Sequence, residues 1–157
     1  MRDDPSFSSS TGPPQPAAGR RLGLPLWAVV GLALLSVPRI FAHDLGLGGG
    51  PIPALLTVGP VVVWVVVVLA ARVPSPWVTL LAVGVLYGVA LGVVHNVLWD
   101  EVFADDPPGL GALDPERAEL PLRVAAFVSS VFTGTAVGLV AGLVATGLRA
   151  LAGRWRR

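Results

Sequence analysis

The residues with chemistry to offer gather at the ends of apolar stretches rather than along them. Arg39, His43 and Asp44 close one such stretch, His95, Asn96 and Asp100 close another, and Arg123 and Ser130 open a third. Arg39 or Arg123 facing Asp44 or Asp100 would be an ion pair that fastens helix ends, with His43, His95 and Asn96 satisfying helix-end carbonyls. The same groups set around a space would form an outward-facing pocket for a cation, a proton or an anionic headgroup. His43, Asp44, His95 and Asp100 are ligand types that a divalent metal takes, although the two histidines are far from the i, i+4 spacing of a helical site. His95 beside Ser129 or Ser130 would pair a base with a nucleophile. Serines flanked by small residues in an apolar helix ordinarily serve packing instead.

Other patterns exclude more than they suggest. The glycine-rich run over 46–50 resembles a phosphate loop in composition only, since no strand precedes it and no lysine follows. The acidic segment after Asp100 lacks the spacing of a Ca²⁺ loop, and Pro107, Pro108 and Gly109 are expected to turn it. The chain has no cysteine, so disulfides, thiolate metal sites and cysteine nucleophiles are excluded. No cofactor and no nucleic-acid partner is expected.

Four elements must position these groups. Apolar stretches over 22–42, 52–71, 77–98 and 124–148 are each long enough to cross a hydrocarbon core of roughly 30 Å, which takes about 20 helical residues. Only 13% of residues are charged, 54% are hydrophobic and the mean hydropathy is +0.74, whereas about a quarter of a soluble domain is charged. The chain therefore reads as an all-α integral membrane protein, with four transmembrane helices in an antiparallel bundle and the lipid bilayer as its first partner. Every basic residue is arginine, and Ala, Val, Gly, Leu and Pro abound. GC-rich codons favour that set, which points to a bacterial source, and a multi-pass protein of the plasma membrane is expected.

Topology follows from the arginines. Arg2, Arg20 and Arg21 precede the first stretch, Arg72 follows the second, and Arg149, Arg154, Arg156 and Arg157 follow the fourth. The positive-inside rule places all of them, and both termini, in the cytoplasm. The opposite side carries Asp100, Glu101, Asp105, Asp106, Asp114, Glu116 and Glu119. Residues 1–21, rich in proline and serine, are expected to be a disordered cytoplasmic tail, 22–152 the membrane domain, and 153–157 a basic tail with Trp155 at headgroup depth. Arg20 and Arg21 ahead of an apolar run mimic a signal peptide, but the long polar leader and three later spans favour a retained anchor.

Proline and glycine punctuate the spans. Pro53, Pro76 and Pro121 are expected to open spans two, three and four, with Ser75 as an N-cap, and Pro38 and Pro60 to kink spans one and two. The short link over 72–76 makes spans two and three an antiparallel hairpin. Gly84, Gly88 and Gly92 form one small-residue stripe and Gly134, Gly138 and Gly142 another. In lipid such stripes bring backbones together, so they are expected to face each other, the alternative being a homo-oligomer interface. Continuing both rows brings Asn96 to Ser130, with Trp99, Thr133 and Thr135 nearby. These features suit a small polytopic membrane protein, an ion- or small-solute-handling or accessory subunit with a polar cluster at its outer face. The alternatives are a membrane-embedded enzyme acting on a lipid headgroup, with His95 or His43 as base, and a structural partner in a membrane complex.

Overall fold

The computed structural model describes residues 22–44 and 51–155. The tail over 1–21, the link over 45–50, Arg156 and Arg157, and the side chains of Ala42, His43, Asp44 and Pro115 lie outside the described residues. The regular structure among those residues is helical, without a strand: α1 (Leu26–Leu34), α2 (Val37–Asp44), α3 (Ile52–Ala70), α4 (Pro76–Val97), α5 (Trp99–Val102) and α6 (Pro115–Arg154). Of these, α3, α4 and α6 are long and apolar enough to cross a membrane.

The first apolar stretch is two helices in succession rather than one. Pro38 cannot donate to the Leu34 carbonyl and its ring crowds that oxygen, and the chain turns at Leu35 and Ser36 before α2 begins. Ser36 N–H bonds to Ala33 O at 3.3 Å, leaving Leu32 O without its usual i+4 donor. The indole N–H of Trp64 in α3 donates to that oxygen at 2.7 Å, and Trp64 is wholly buried. No such break occurs at Pro60, which α3 carries within its length.

The central helix is α4. Within the chain, 39% of its most apolar stretch is buried, against 11% for α3. Its chief partner is α6, and glycines set their approach. A Cβ built on Gly84 would stand 2.6 Å from Gly138 Cα, and one on Gly88 would stand 2.8 Å from Val131 Cα. Such distances leave no room for a side chain. The stripes are nevertheless offset: Gly92 lies against the Phe127 ring and Gly142 against the Trp77 backbone, so only Gly84 and Gly88 of one stripe meet Gly134 and Gly138 of the other.

Three tight features close the end that carries Arg72 and Arg149. Helix α3 ends in a Schellman motif, with Arg72 N–H on Leu69 O at 3.1 Å and Val73 N–H on Val68 O at 3.4 Å. The accompanying apolar contact is between Val68 and Val73, both buried. Arg72 takes the left-handed position of this motif at φ 51°, where glycine is the usual occupant. Arg149 of α6 donates to Val73 O at 2.6 Å and to Pro74 O at 3.1 Å, binding α6 to the α3–α4 turn. Ser75 makes no capping bond. Instead the Thr79 hydroxyl lies 2.6 Å from Leu22 O and 3.1 Å from Ser75 O.

At the opposite, acidic end, α6 begins earlier than the sequence suggests. It runs 40 residues from Pro115, about 60 Å, and Pro121 lies inside it rather than opening it. Glu116, Arg117, Ala118 and Leu120 are good helix formers. Glu119 reaches Arg123 at 2.8 Å across the proline, in the i, i+4 order that best stabilises a helix. The turn expected at 107–109 lies instead at Gly111, whose φ of 61° lets Leu113 N–H reach Leu110 O at 3.2 Å.

Candidate functional site

The candidate residues divide into two groups with different partners. One centres on Arg123, whose side chain is 22% exposed and which faces the end of α4. Its Nη2 donates to Asp100 Oδ1 at 2.5 Å, Nε to Glu119 Oε1 at 2.8 Å and Nη1 to the Asn96 carbonyl at 2.8 Å. The guanidinium carbon also stands 5.2 Å from the centroid of the buried Trp99 ring. Asn96 Nδ2 donates to Gly92 O at 2.9 Å and lies 3.5 Å from Arg123 O. The group fastens α4 and α5 to α6.

Asn96 thus meets Arg123 and not Ser130. The antiparallel register follows from Gly88 lying over Ser130 and Val131; two turns further along α4, Asn96 must lie opposite the residue two turns back along α6. The Ser130 hydroxyl donates to Ala126 O at 2.7 Å and that of Thr135 to Val131 O at 2.7 Å. Both hydroxyls are spent within their own helix. Ser129 and Thr133 face outward. His95 is half-buried in the last turn of α4 and is engaged by an interaction of its own.

The second group centres on Arg39. Its Nε donates to Thr57 Oγ1 at 2.7 Å, and the Thr57 hydroxyl donates in turn to Pro53 O at 2.7 Å. Its Nη1 donates to the Tyr87 hydroxyl at 3.0 Å. Tyr87 is 4% exposed and packs edge-on against Trp64, with ring centroids 5.8 Å apart. Among the described side chains no carboxylate pairs with Arg39. Helix α2 carries the backbone of His43 and Asp44 on from Arg39. Tyr87 sits eleven residues after Pro76, midway along α4, so Arg39 reaches deeper than a helix-end cluster requires.

Thr57, Tyr87, Trp64 and Glu119 complete these groups and are absent from the sequence-derived set. The available signal was that Tyr87 is the chain's single tyrosine and lies inside an apolar span, where its hydroxyl needs a partner. No three His, Asp or Glu side chains among the described residues converge as metal ligands. An open cleft of about 250 Å³ beside the Arg123 group is lined by Trp99, Asp100, Phe103, Glu116 and Glu119. No known protein family, curated protein or solved structure matches this chain. The chemistry of the two arginines carries what can be said of function.

Proposed function

We propose that this chain is a non-enzymatic protein of the bacterial plasma membrane, an accessory or small-solute-handling subunit that engages an anionic group through Arg39. It crosses the bilayer four times, α1 and α2 together making the first crossing, with both termini in the cytoplasm. The orientation rests on Arg72, Arg149 and Arg154 at one end and the carboxylates at the other. Residues 26–44 laid end to end span about 28 Å, close to the core thickness.

The observation that carries the reading is a half-buried guanidinium whose partners among the described side chains are two neutral hydroxyls. Charge within a membrane span is costly and marks binding or transport sites. Arg123 already has two carboxylates and needs no ligand. A guanidinium has five N–H donors in a planar fork, and those that Arg39 does not spend on described residues suit the paired oxygens of a phosphate or carboxylate. Calorimetric titration of the detergent-solubilised chain with inorganic phosphate and with glycerol phosphate tests this. Binding of inorganic phosphate identifies a free anion as the ligand, and binding of glycerol phosphate alone identifies a headgroup. Arg39→Gln abolishes either, and Arg39→Lys retains part. Heat unchanged by Arg39→Gln, or no heat from either ligand, contradicts the proposal.

A further inference from the structure

A wholly apolar groove of about 670 Å³ runs between α3 and α6, lined by residues that include Val62, Val66, Leu69, Val140, Val144 and Leu148. Val66 is 57% and Val140 60% exposed, so the described residues leave the groove uncovered. At Leu69 and Leu148 it continues into a second cleft of about 400 Å³ whose rim holds Arg72 and Arg149. Among the described residues no carboxylate pairs with either arginine. Arg149 spends two N–H groups on Val73 O and Pro74 O and has others left. An apolar trough that ends at two guanidiniums without counter-charge among the described residues has the division of an anionic phospholipid: chain in the trough, phosphate at the rim.

Length discriminates between occupants. The groove follows α6 from Ala136 to Leu148, about 18 Å, which is close to one leaflet of a roughly 30 Å core. A helix of a second copy crossing the membrane here would need contact over the full thickness and would bring no charge for Arg72 and Arg149. We infer that the groove between α3 and α6 is a binding site for one anionic phospholipid of the cytoplasmic leaflet. Its acyl chain lies along the valines and its phosphate sits on Arg72 and Arg149. This rests on the membrane placement proposed above, though not on Arg39.

The test is native mass spectrometry of the chain released from nanodiscs holding equal phosphatidylglycerol and phosphatidylcholine, after alkaline carbonate washing of membranes has shown whether the chain is integral. Wild type retains phosphatidylglycerol in preference. Arg72→Gln lowers that retention about fivefold, the order that one arginine near an anionic surface supplies. Arg72→Gly lowers it similarly while raising lipid-free stability, because glycine relieves the left-handed backbone. Val66→Trp fills the trough at an exposed position and displaces lipid of either headgroup. Equal retention of the two lipids, retention unchanged by Arg72→Gln and Val66→Trp, or a wild-type dimer that Val66→Trp dissociates overturns the site. Release of the chain by carbonate would overturn the membrane placement itself, whereas a carbonate-resistant chain without lipid preference overturns only the site.

Discussion

Arg39 and Trp64 are joined through one tyrosine: the guanidinium donates to the Tyr87 hydroxyl at 3.0 Å, and Tyr87 stands edge-on to Trp64 at 5.8 Å. Trp64 in turn satisfies Leu32 O, the carbonyl exposed by the break before Pro38. The interruption of the first apolar stretch and the placement of its arginine are thus parts of one connected arrangement.

That connection makes Trp64→Phe informative. It keeps the ring against Tyr87 but removes the donor, leaving Leu32 O buried and unsatisfied, at a cost of about 1–3 kcal/mol. Introduced together with Pro38→Ala, which permits a continuous helix, the loss is smaller than in Trp64→Phe alone. Additive losses in thermal melts of the single and double variants would separate the break from the tryptophan.

Glycine substitutions divide by position. A methyl at Gly84 or Gly138 meets the facing backbone within 3 Å, while Gly31 and Gly59 have nothing within 4 Å. Gly84→Ala and Gly138→Ala cost about 1–3 kcal/mol through overpacking. Gly31→Ala and Gly59→Ala are neutral or stabilise by up to about 1 kcal/mol through helix propensity. Detergent melting temperatures of the four variants check this, and equal values would mean that the α4–α6 contact is not close.

The Arg123 group is unequal in its parts. The Asp100 side chain is 85% exposed and that of Arg123 22%, so Asp100→Asn costs only about 0–1 kcal/mol, the range of exposed ion pairs. Arg123→Gln also strips the Asn96 carbonyl of its donor and Trp99 of its cation, and costs about 1–3 kcal/mol. Chemical denaturation of both variants, with the double variant to measure coupling, gives the comparison.

Reading the sequence located α3 and α4 to within a residue of their observed ends, because long apolar runs bounded by proline leave little choice of element. It misplaced the start of α6, since Pro121 looks like a first-turn residue unless the Glu119–Arg123 bond across it is known. The meeting of Asn96 with Arg123, two turns along α6 from the expected Ser130, was beyond reach: glycine spacing shows that two helices approach, but not that Gly92 faces Phe127. Arg39 was identified while its partners were not, because Thr57 and Tyr87 lie on other helices and no local pattern connects them.

Topology is checked by reporter fusions. Insertions at 72–75 and after Trp155 are active as cytoplasmic reporters only, and insertions at 105–108 as exported reporters only, as the separation of arginines from carboxylates requires. An exported signal from 72–75 would reverse the arrangement.

The central claim is that Arg39 binds and Arg123 fastens. It is tested most directly by the rise in melting temperature that the anion bound in the titration, inorganic phosphate or glycerol phosphate, produces in the wild type, Arg39→Gln and Arg123→Gln. Binding to the folded state alone at about 100 times Kd stabilises by about 2.7 kcal/mol. The wild type shows this rise, Arg123→Gln melts lower but keeps it, and Arg39→Gln loses it. A rise that survives in Arg39→Gln and disappears in Arg123→Gln would contradict the assignment.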